Sequence, residues 1–426
     1  MFQAIQEKRK KVFELVLVAS NHMVDLLTSL LITKLISVYL TKDQYGFYAL
    51  IISVFTFISI FPFTSLHTAI ERKIVELNNN NTYGRYSIYF ILYHLVFVAL
   101  YLLFTPIIYA NVSMEWKNLY VLIFAFIFTK LYKSLFICIL NVERKRYYIL
   151  IMRILDLAIQ VAVVLFFSIR GTLKVEDVLL SSIIGSLCCF LVFFVAEKSR
   201  YLKFHFHYDD FIKLFRNLIN FSLPFIIWGV FIWLQNMANR WYIDMFLAKS
   251  DVANFSIMTS LALLPASTII AVIGQYFAPL AYQKESEENG YIAKLNKKFI
   301  LYSCLFWLIA IIITYVVKDY LIVLLLDKKY TDVSWTLPIL MIGTAIYATG
   351  QITIYEIYHY KKPGLLLLSN ILPGLFTLIA GYFLIQTFGF EGSILVNVAS
   401  FSLSGIITLI TVARFTRQKN RLQIFN

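Results

Sequence analysis

Charge is scarce in this chain of 426 residues, where Asp, Glu, Lys and Arg together make up 15%. A soluble domain carries roughly 25%. Hydrophobic residues reach 60%, too many to be covered by the polar surface available, which excludes an ordinary soluble protein and makes the bilayer the main solvent. Cysteine is also sparse. Cys138, Cys188, Cys189 and Cys304 each sit in an apolar run with no CxxC or metal-ligand spacing, which excludes a disulfide scaffold and a thiolate metal site. They read as small core hydrophobes. There is no GxxxxGK[ST], HExxH or nucleophile elbow, so neither ATP hydrolysis nor hydrolase chemistry is expected. His205-Phe-His207 alone is a poor metal site, and no metal or organic cofactor is expected.

What is present is long apolar runs, and a membrane helix needs about 20 such residues. Candidate spans are 13–39, 46–70, 86–109, 118–140, 147–168 and 178–196, then 218–240, 253–279, 299–317, 335–358, 365–386 and 392–413. The basic residues Lys8–Lys11 precede a first span too long and bulky for a cleaved signal peptide. Pro62, Pro224, Pro265, Pro338 and Pro373 fall inside spans and predict kinks. The expected fold is all-α and membrane-integral, with about twelve helices in two six-helix lobes, 1–205 and 206–426.

The net charge of +14 is not distributed as a nucleic-acid binder requires. Twenty-five of the 38 Lys and Arg lie in loops on one side, nine on the other, and four inside spans. Basic loops mark the cytoplasmic side, so both termini are expected there. All outer loops are short, the longest near 318–334, which argues against an enzyme with an outer catalytic domain. An internal repeat joins the halves: Leu40-Thr-Lys-Asp-Gln-Tyr-Gly-Phe-Tyr-Ala-Leu50 resembles Leu247-Ala-Lys-Ser-Asp-Val-Ala-Asn-Phe-Ser-Ile257, each following the first span of a half. Between them, Phe211, Leu214, Phe215 and Leu218 share one helical face, read as an interfacial helix.

Charges inside spans are costly, roughly 2.5–3.5 kcal/mol each at a helix centre, and should face a cavity or a partner. Span one carries Asn21, His22, Asp25 and Thr28 as a polar stripe, then Lys34 on another face. Lys130 and Lys133 are neighbours one turn apart, as are Arg153 and Asp156. Arg153 and Asp156 either cancel as a pair or serve a cavity. His22 and Asp25 form a structural pair or a proton relay. Lys133 either snorkels to the interface or lines the cavity, and Glu356 and His359 are interfacial or functional. Asp25 needs a partner from another helix or protonation. Embedded cations, no nucleotide loop and two repeated halves together suggest a secondary transporter for an anion.

These features resemble the Wzx-type O-antigen and polysaccharide flippases of the multidrug/oligosaccharidyl-lipid/polysaccharide (MOP) exporter superfamily, which includes the MATE proteins. The resemblance runs end to end and is carried by Leu40-Thr-Lys-Asp-Gln-Tyr45-Gly46, Ser222-Leu-Pro224, Asn239-Arg240…Asp244-Met-Phe246, Leu326-Asp-Lys-Lys-Tyr330…Trp335-Thr-Leu-Pro338, and Gly389-Phe-Glu-Gly392-Ser. The chain departs from the family's pattern at Val38 and at Asn239, where relatives often have Arg and Asp. The resemblance implies translocation of an undecaprenyl-diphosphate-linked oligosaccharide across the bacterial inner membrane by alternating access, coupled to H⁺ or Na⁺. It also implies a polymerase and a chain-length regulator as pathway partners. Lys34, Lys130, Lys133, Arg153 and Arg240 are the candidate anion contacts, and Asp25, Asp156 and Glu356 the candidates for ion coupling. Competing readings are a teichoic-type, lipid II or drug/cation exporter of the same superfamily, or a membrane glycan polymerase.

Overall fold

A computed structural model describes residues 2–79, 83–111, 113–171, 173–201, 207–288 and 290–424, and it is helical with no strand among them. The helices are α1 (Phe2–Tyr39), α2 (Lys42–Ile58), α3 (Ser65–Asn79), α4 (Tyr83–Asn111), α5 (Met114–Val142), α6 (Arg146–Ile169) and α7 (Val175–Tyr201). They continue as α8 (Tyr208–Phe246), α9 (Lys249–Val272), α10 (Ala278–Glu287), α11 (Tyr291–Leu325), α12 (Thr336–Gln351), α13 (Tyr355–His359) and α14 (Leu368–Ile424). Every apolar segment read from the sequence is helical over most of its length. Nine helical stretches among the described residues are each long and apolar enough to cross a bilayer, or ten if one bent pair counts as a span. The last two expected spans form the single long α14, interrupted at Gly389, whose φ of +59° and ψ of −134° are not helical. Glycine takes that conformation without the Cβ clash other residues meet.

Of the five prolines expected to kink their helices, two stand at breaks: Pro62, and Pro224 at a 47° bend within α8. Pro62 lies in a wide turn, Ser59–Thr64, between α2 and α3. Pro265 and Pro373 lie inside α9 and α14. Pro338 does not kink its helix. It is the third residue of α12, where its missing N–H has no intrahelical acceptor to lose.

The chain divides into two compact units, residues 1–41 with 54–226, and residues 42–53 with 227–426. In the first, α6 packs on α1 and α7, and α7 packs on α5. In the second, α12 packs on α9, α11 and α14. The first part of α2 therefore belongs with the later half of the sequence, and α8 begins in the first unit. The two copies of the repeated turn meet inside the second unit. A Cβ at Gly46 would stand 2.0 Å from the Lys249 carbonyl oxygen and 3.4 Å from Ala253 N, so only glycine fits. Lys249 Nζ lies 5.3 Å from the Phe47 ring centroid.

Packing explains which apolar side chains stay outside. Along α11, Leu301, Leu305, Leu308, Ile309, Ile312 and Val316 are all exposed, as a helix facing lipid requires. Cys304 is on that exposed surface, whereas Cys138 and Cys189 are buried. The face expected to lie in the membrane interface is instead covered by protein. Leu214 and Leu218 are buried, and Tyr93 of α4 sits 4.7 Å from Phe211 and 5.0 Å from Phe215, centroid to centroid. The Tyr93 hydroxyl donates to the Phe211 carbonyl at 2.9 Å. Aromatic packing in the first unit, not lipid, uses that stripe. His205 lies outside the described residues.

Candidate functional site in the first unit

Five of the predicted residues come together on three helices of the first unit. Arg153 and Asp156, three residues apart on α6, do not pair with each other. Arg153 Nη1 reaches Asp25 of α1 at 2.7 Å, and Asp156 forms an ion pair with Lys133 of α5. The partner Asp25 needed thus comes from α6. Lys133 does not snorkel: its side chain is largely buried against an Asp156 side chain only 6% exposed. Low exposure makes the charges of Lys133, Asp156 and Arg153 dependent on their partners, because an isolated ion at that depth is costly.

Asp156 is held by more than Lys133. Gln160, one turn further on α6, donates Nε2–H to Asp156 Oδ2 at 2.7 Å. Ser182 of α7 donates to Gln160 Oε1 at 3.2 Å. Gly185, one turn beyond Ser182 on average helical spacing, leaves space for the carboxylate: a Cβ there would fall 2.4 Å from Asp156 Oδ1. That Oδ1 is buried with no hydrogen-bond partner among the described residues, and so is Arg153 Nε. Sequence reading missed Gln160, Ser182 and Gly185. Gln160 follows Asp156 at i+4, a spacing that could have flagged it, but Ser182 and Gly185 carry no signal before the packing of α6 on α7 is known.

Lys130 differs from Lys133. No carboxylate lies within ion-pairing distance of it among the described residues, and its Nζ stands 5.9 Å from the Phe126 ring centroid. The set Lys130, Lys133 and Arg153 against Asp25 and Asp156 therefore carries one uncompensated positive charge. The rest of the stripe on α1 is structural: Asn21 Nδ2 donates to the Leu17 and Arg146 carbonyls, and Thr28 donates back to Val24 O. His22 is exposed. Lys34 is half-buried and lies about 13 Å of helix rise beyond Asp25.

The remaining candidates belong to the second unit. Arg240 is buried, and its Nη1 donates to the Ala49 carbonyl of α2 at 3.3 Å. Glu356 is fully buried. Its Oε2 accepts from Asn296 Nδ2 at 3.2 Å and Thr416 Oγ1 at 2.9 Å, while Oε1 has no partner among the described residues. Near it, Glu285 was not anticipated. It accepts from Gly290 N (2.9 Å), Ile292 N (2.7 Å), Tyr360 Oη (2.8 Å) and Lys419 Nζ (2.7 Å). Burial raises the Glu285 pKa, but these donors favour the anion more strongly and hold it down at about 2. Among the described residues no group of three or more His, Cys, Asp or Glu is placed to hold a metal.

The family model described as polysaccharide biosynthesis protein, that of the Wzx-type flippases, matches residues 10–283. The chain belongs to this family. No curated protein sequence matches it significantly. Among solved structures it is similar to the lipid II flippase MurJ in an inward closed conformation, with TM-score 0.71, 15% identity and coverage of 94% of this chain and 87% of that one. It is also similar to a MATE transporter of Vibrio cholerae, with TM-score 0.62, 14% identity and coverage of 98% and 99%. An inward-facing multidrug resistance MATE transporter gives TM-score 0.62, 12% identity and coverage of 94% and 96%. The Wzx-family chain thus has the all-α fold of MOP-superfamily transporters, and it is a multi-pass membrane transporter rather than an enzyme.

Proposed function

We propose that this Wzx-family protein is the flippase for an undecaprenyl-diphosphate-linked oligosaccharide, an O-antigen or capsular repeat unit. It moves this substrate from the cytoplasmic to the periplasmic leaflet of a bacterial inner membrane. The observation that carries the reading is the uncompensated Lys130 beside two compensated cations at the α1–α5–α6 site. A diphosphate is a multiply charged acceptor. Lys130 supplies a point charge, and an arriving phosphate competes with Asp25 for the guanidinium of Arg153, whose planar donors suit phosphate oxygens. The half-exposed Asp25 side chain is the member most easily displaced. The polyprenyl tail stays in lipid while the two halves alternate in exposing the site. An ion gradient drives the cycle, with Asp25, Asp156 and Glu356 as carboxylates that can take and release a cation. Both termini are cytoplasmic in this scheme, consistent with the basic loops.

The test is a deletion strain. Lipid-linked oligosaccharide repeat units should accumulate in it on the cytoplasmic leaflet while surface glycan is lost, and expression of the chain should reverse both. Accumulation of single repeats already on the periplasmic face would instead identify a polymerase defect and overturn the reading.

A further inference from the structure

The first unit contains a second polar arrangement, centred on one buried histidine, which the transport site does not use. His67 of α3 and His94 of α4 lie with their Nε2 atoms 3.0 Å apart and their rings nearly parallel, centroids 5.1 Å apart. His94 is fully buried. Its Nδ1 is 3.0 Å from the Phe90 carbonyl oxygen, and a carbonyl can only accept, so Nδ1 carries the hydrogen. In neutral His94 the Nε2 is then bare and must accept. His67 must therefore donate through Nε2–H, which leaves His67 Nδ1 bare. Ser134 Oγ of α5 lies 3.5 Å from that nitrogen, the outer limit of a hydrogen bond. Each tautomer is thus fixed by its neighbour, in one chain from Ser134 through both rings to Phe90.

We propose that His67 and His94 form a binding site for one exchangeable proton. The incoming proton has one vacant position, His67 Nδ1, and Ser134 turns from donor to acceptor when it arrives. The resulting imidazolium still donates Nε2–H to His94. A second proton would have to sit on His94 Nε2, placing two N–H groups head to head across 3.0 Å, and the rings would have to separate.

The surroundings supply no counter-ion. Neither imidazole has a carboxylate within ion-pairing distance among the described residues. On α3, Glu71 is engaged with the Cys138 thiol of α5, and Cys138 Sγ contacts the His67 carbonyl at 3.7 Å. Tyr132 of α5 stands 5.8 Å from His94, ring to ring, and Phe63 from the wide turn 5.0 Å. Tyr101 of α4 stacks on Phe63, and its hydroxyl donates to the Phe61 carbonyl at 2.5 Å. The carboxylates of the transport site pair with Arg153, Lys133 and Gln160 rather than with the histidines. Ser134 lies one turn from Lys130 on α5. The proton site itself does not depend on what that lysine binds.

Histidine-selective ¹⁵N labelling of the full chain in lipid nanodiscs tests this directly, with signals assigned through His67→Gln and His94→Gln. The expected result is His94 as the Nδ1–H tautomer and His67 as the Nε2–H tautomer at pH 8. On acidification His67 becomes doubly protonated while His94 keeps a bare, hydrogen-bonded Nε2, and His94→Gln shifts the His67 midpoint. Reversed tautomers, two independent one-proton titrations, or a His67 that stays neutral until the protein unfolds would each overturn the proposal.

Discussion

In the first unit, buried polarity takes the form of charge: Lys133 against Asp156, Arg153 against Asp25, and Lys130 unmatched on the same helix pair. In the second unit the interior is held mainly by hydroxyls and by close backbone approach. Thr344 donates to the Ala262 carbonyl, Thr377 to Ser400 Oγ, and Ser404 to the Ser369 carbonyl. A Cβ at Gly405 of α14 would stand 2.2 Å from the Ile346 carbonyl oxygen of α12. The cation Arg240 donates through Nη1 to the Ala49 carbonyl. Helices in lipid gain nothing from burying apolar surface against each other, so close packing of small residues and hydrogen bonds must join them. The second unit follows that rule through much of its interior, and its buried ions are engaged by protein groups: Glu285 by Lys419, Glu356 by Asn296 and Thr416, and Arg240 by the Ala49 carbonyl. The first unit instead gathers five ions on three helices with one lysine in excess, which is where ligand chemistry is to be sought.

That contrast can be broken experimentally. The largest stability effect is expected from Asp156→Asn, which leaves Lys133 buried and unpaired at a cost of about 3–5 kcal/mol. Thermal unfolding in detergent should show the loss, and adding Lys133→Met should recover most of it without restoring export. Gly405→Val forces the Ile346 backbone away and should cost about 1–3 kcal/mol or more, read as reduced yield of monodisperse protein. Arg240→Gln removes a side-chain donor from the Ala49 carbonyl, which keeps its intrahelical bond, at a cost of about 0.5–1.5 kcal/mol, and export should fall only as far as folded protein falls. If Arg240→Gln abolishes export at normal protein level, the two units are not divided as described.

The smallest effect at ordinary pH belongs to Glu285. Its folded pKa, about 2, lies below the unfolded carboxylate value of roughly 4.3. The stabilisation is therefore complete above about pH 4.5 and is lost as pH falls towards 2. Wild-type protein should show no Glu285-dependent change in melting temperature between pH 7 and 5. Its decline below pH 4.5 should be shallower in Glu285→Gln; equal slopes in the two proteins would remove the clasp from the account.

How much of this was legible in the sequence follows from where each signal resides. Hydropathy is a local property, so the apolar segments emerged as helices, and the ions inside them were plain from their positions, whereas Glu285 lies outside the apolar runs and was not. Gly46 could be seen as one end of a repeat, but not that it faces the backbone of the other copy at Lys249. Pairing could not be read, because Arg153 and Asp156 are helical neighbours whose partners come from α1 and α5. The Phe211–Leu218 stripe shows the same limit. An apolar face fits lipid or protein equally well, and only the presence of Tyr93 decides. The histidine pair was invisible because its members are 27 residues apart on separate helices, with no spacing rule to connect them.

The central claim is that the uncompensated charge on Lys130 grips the anionic part of the substrate. Its most direct test is a charge series at that position in the deletion strain, with surface glycan measured against the amount of inserted protein. Lys130→Arg should retain a substantial share of export, whereas Lys130→Gln should lower it at least tenfold at equal protein level, equivalent to about 1.4 kcal/mol or more of lost substrate stabilisation. Wild-type export from Lys130→Gln would contradict the account.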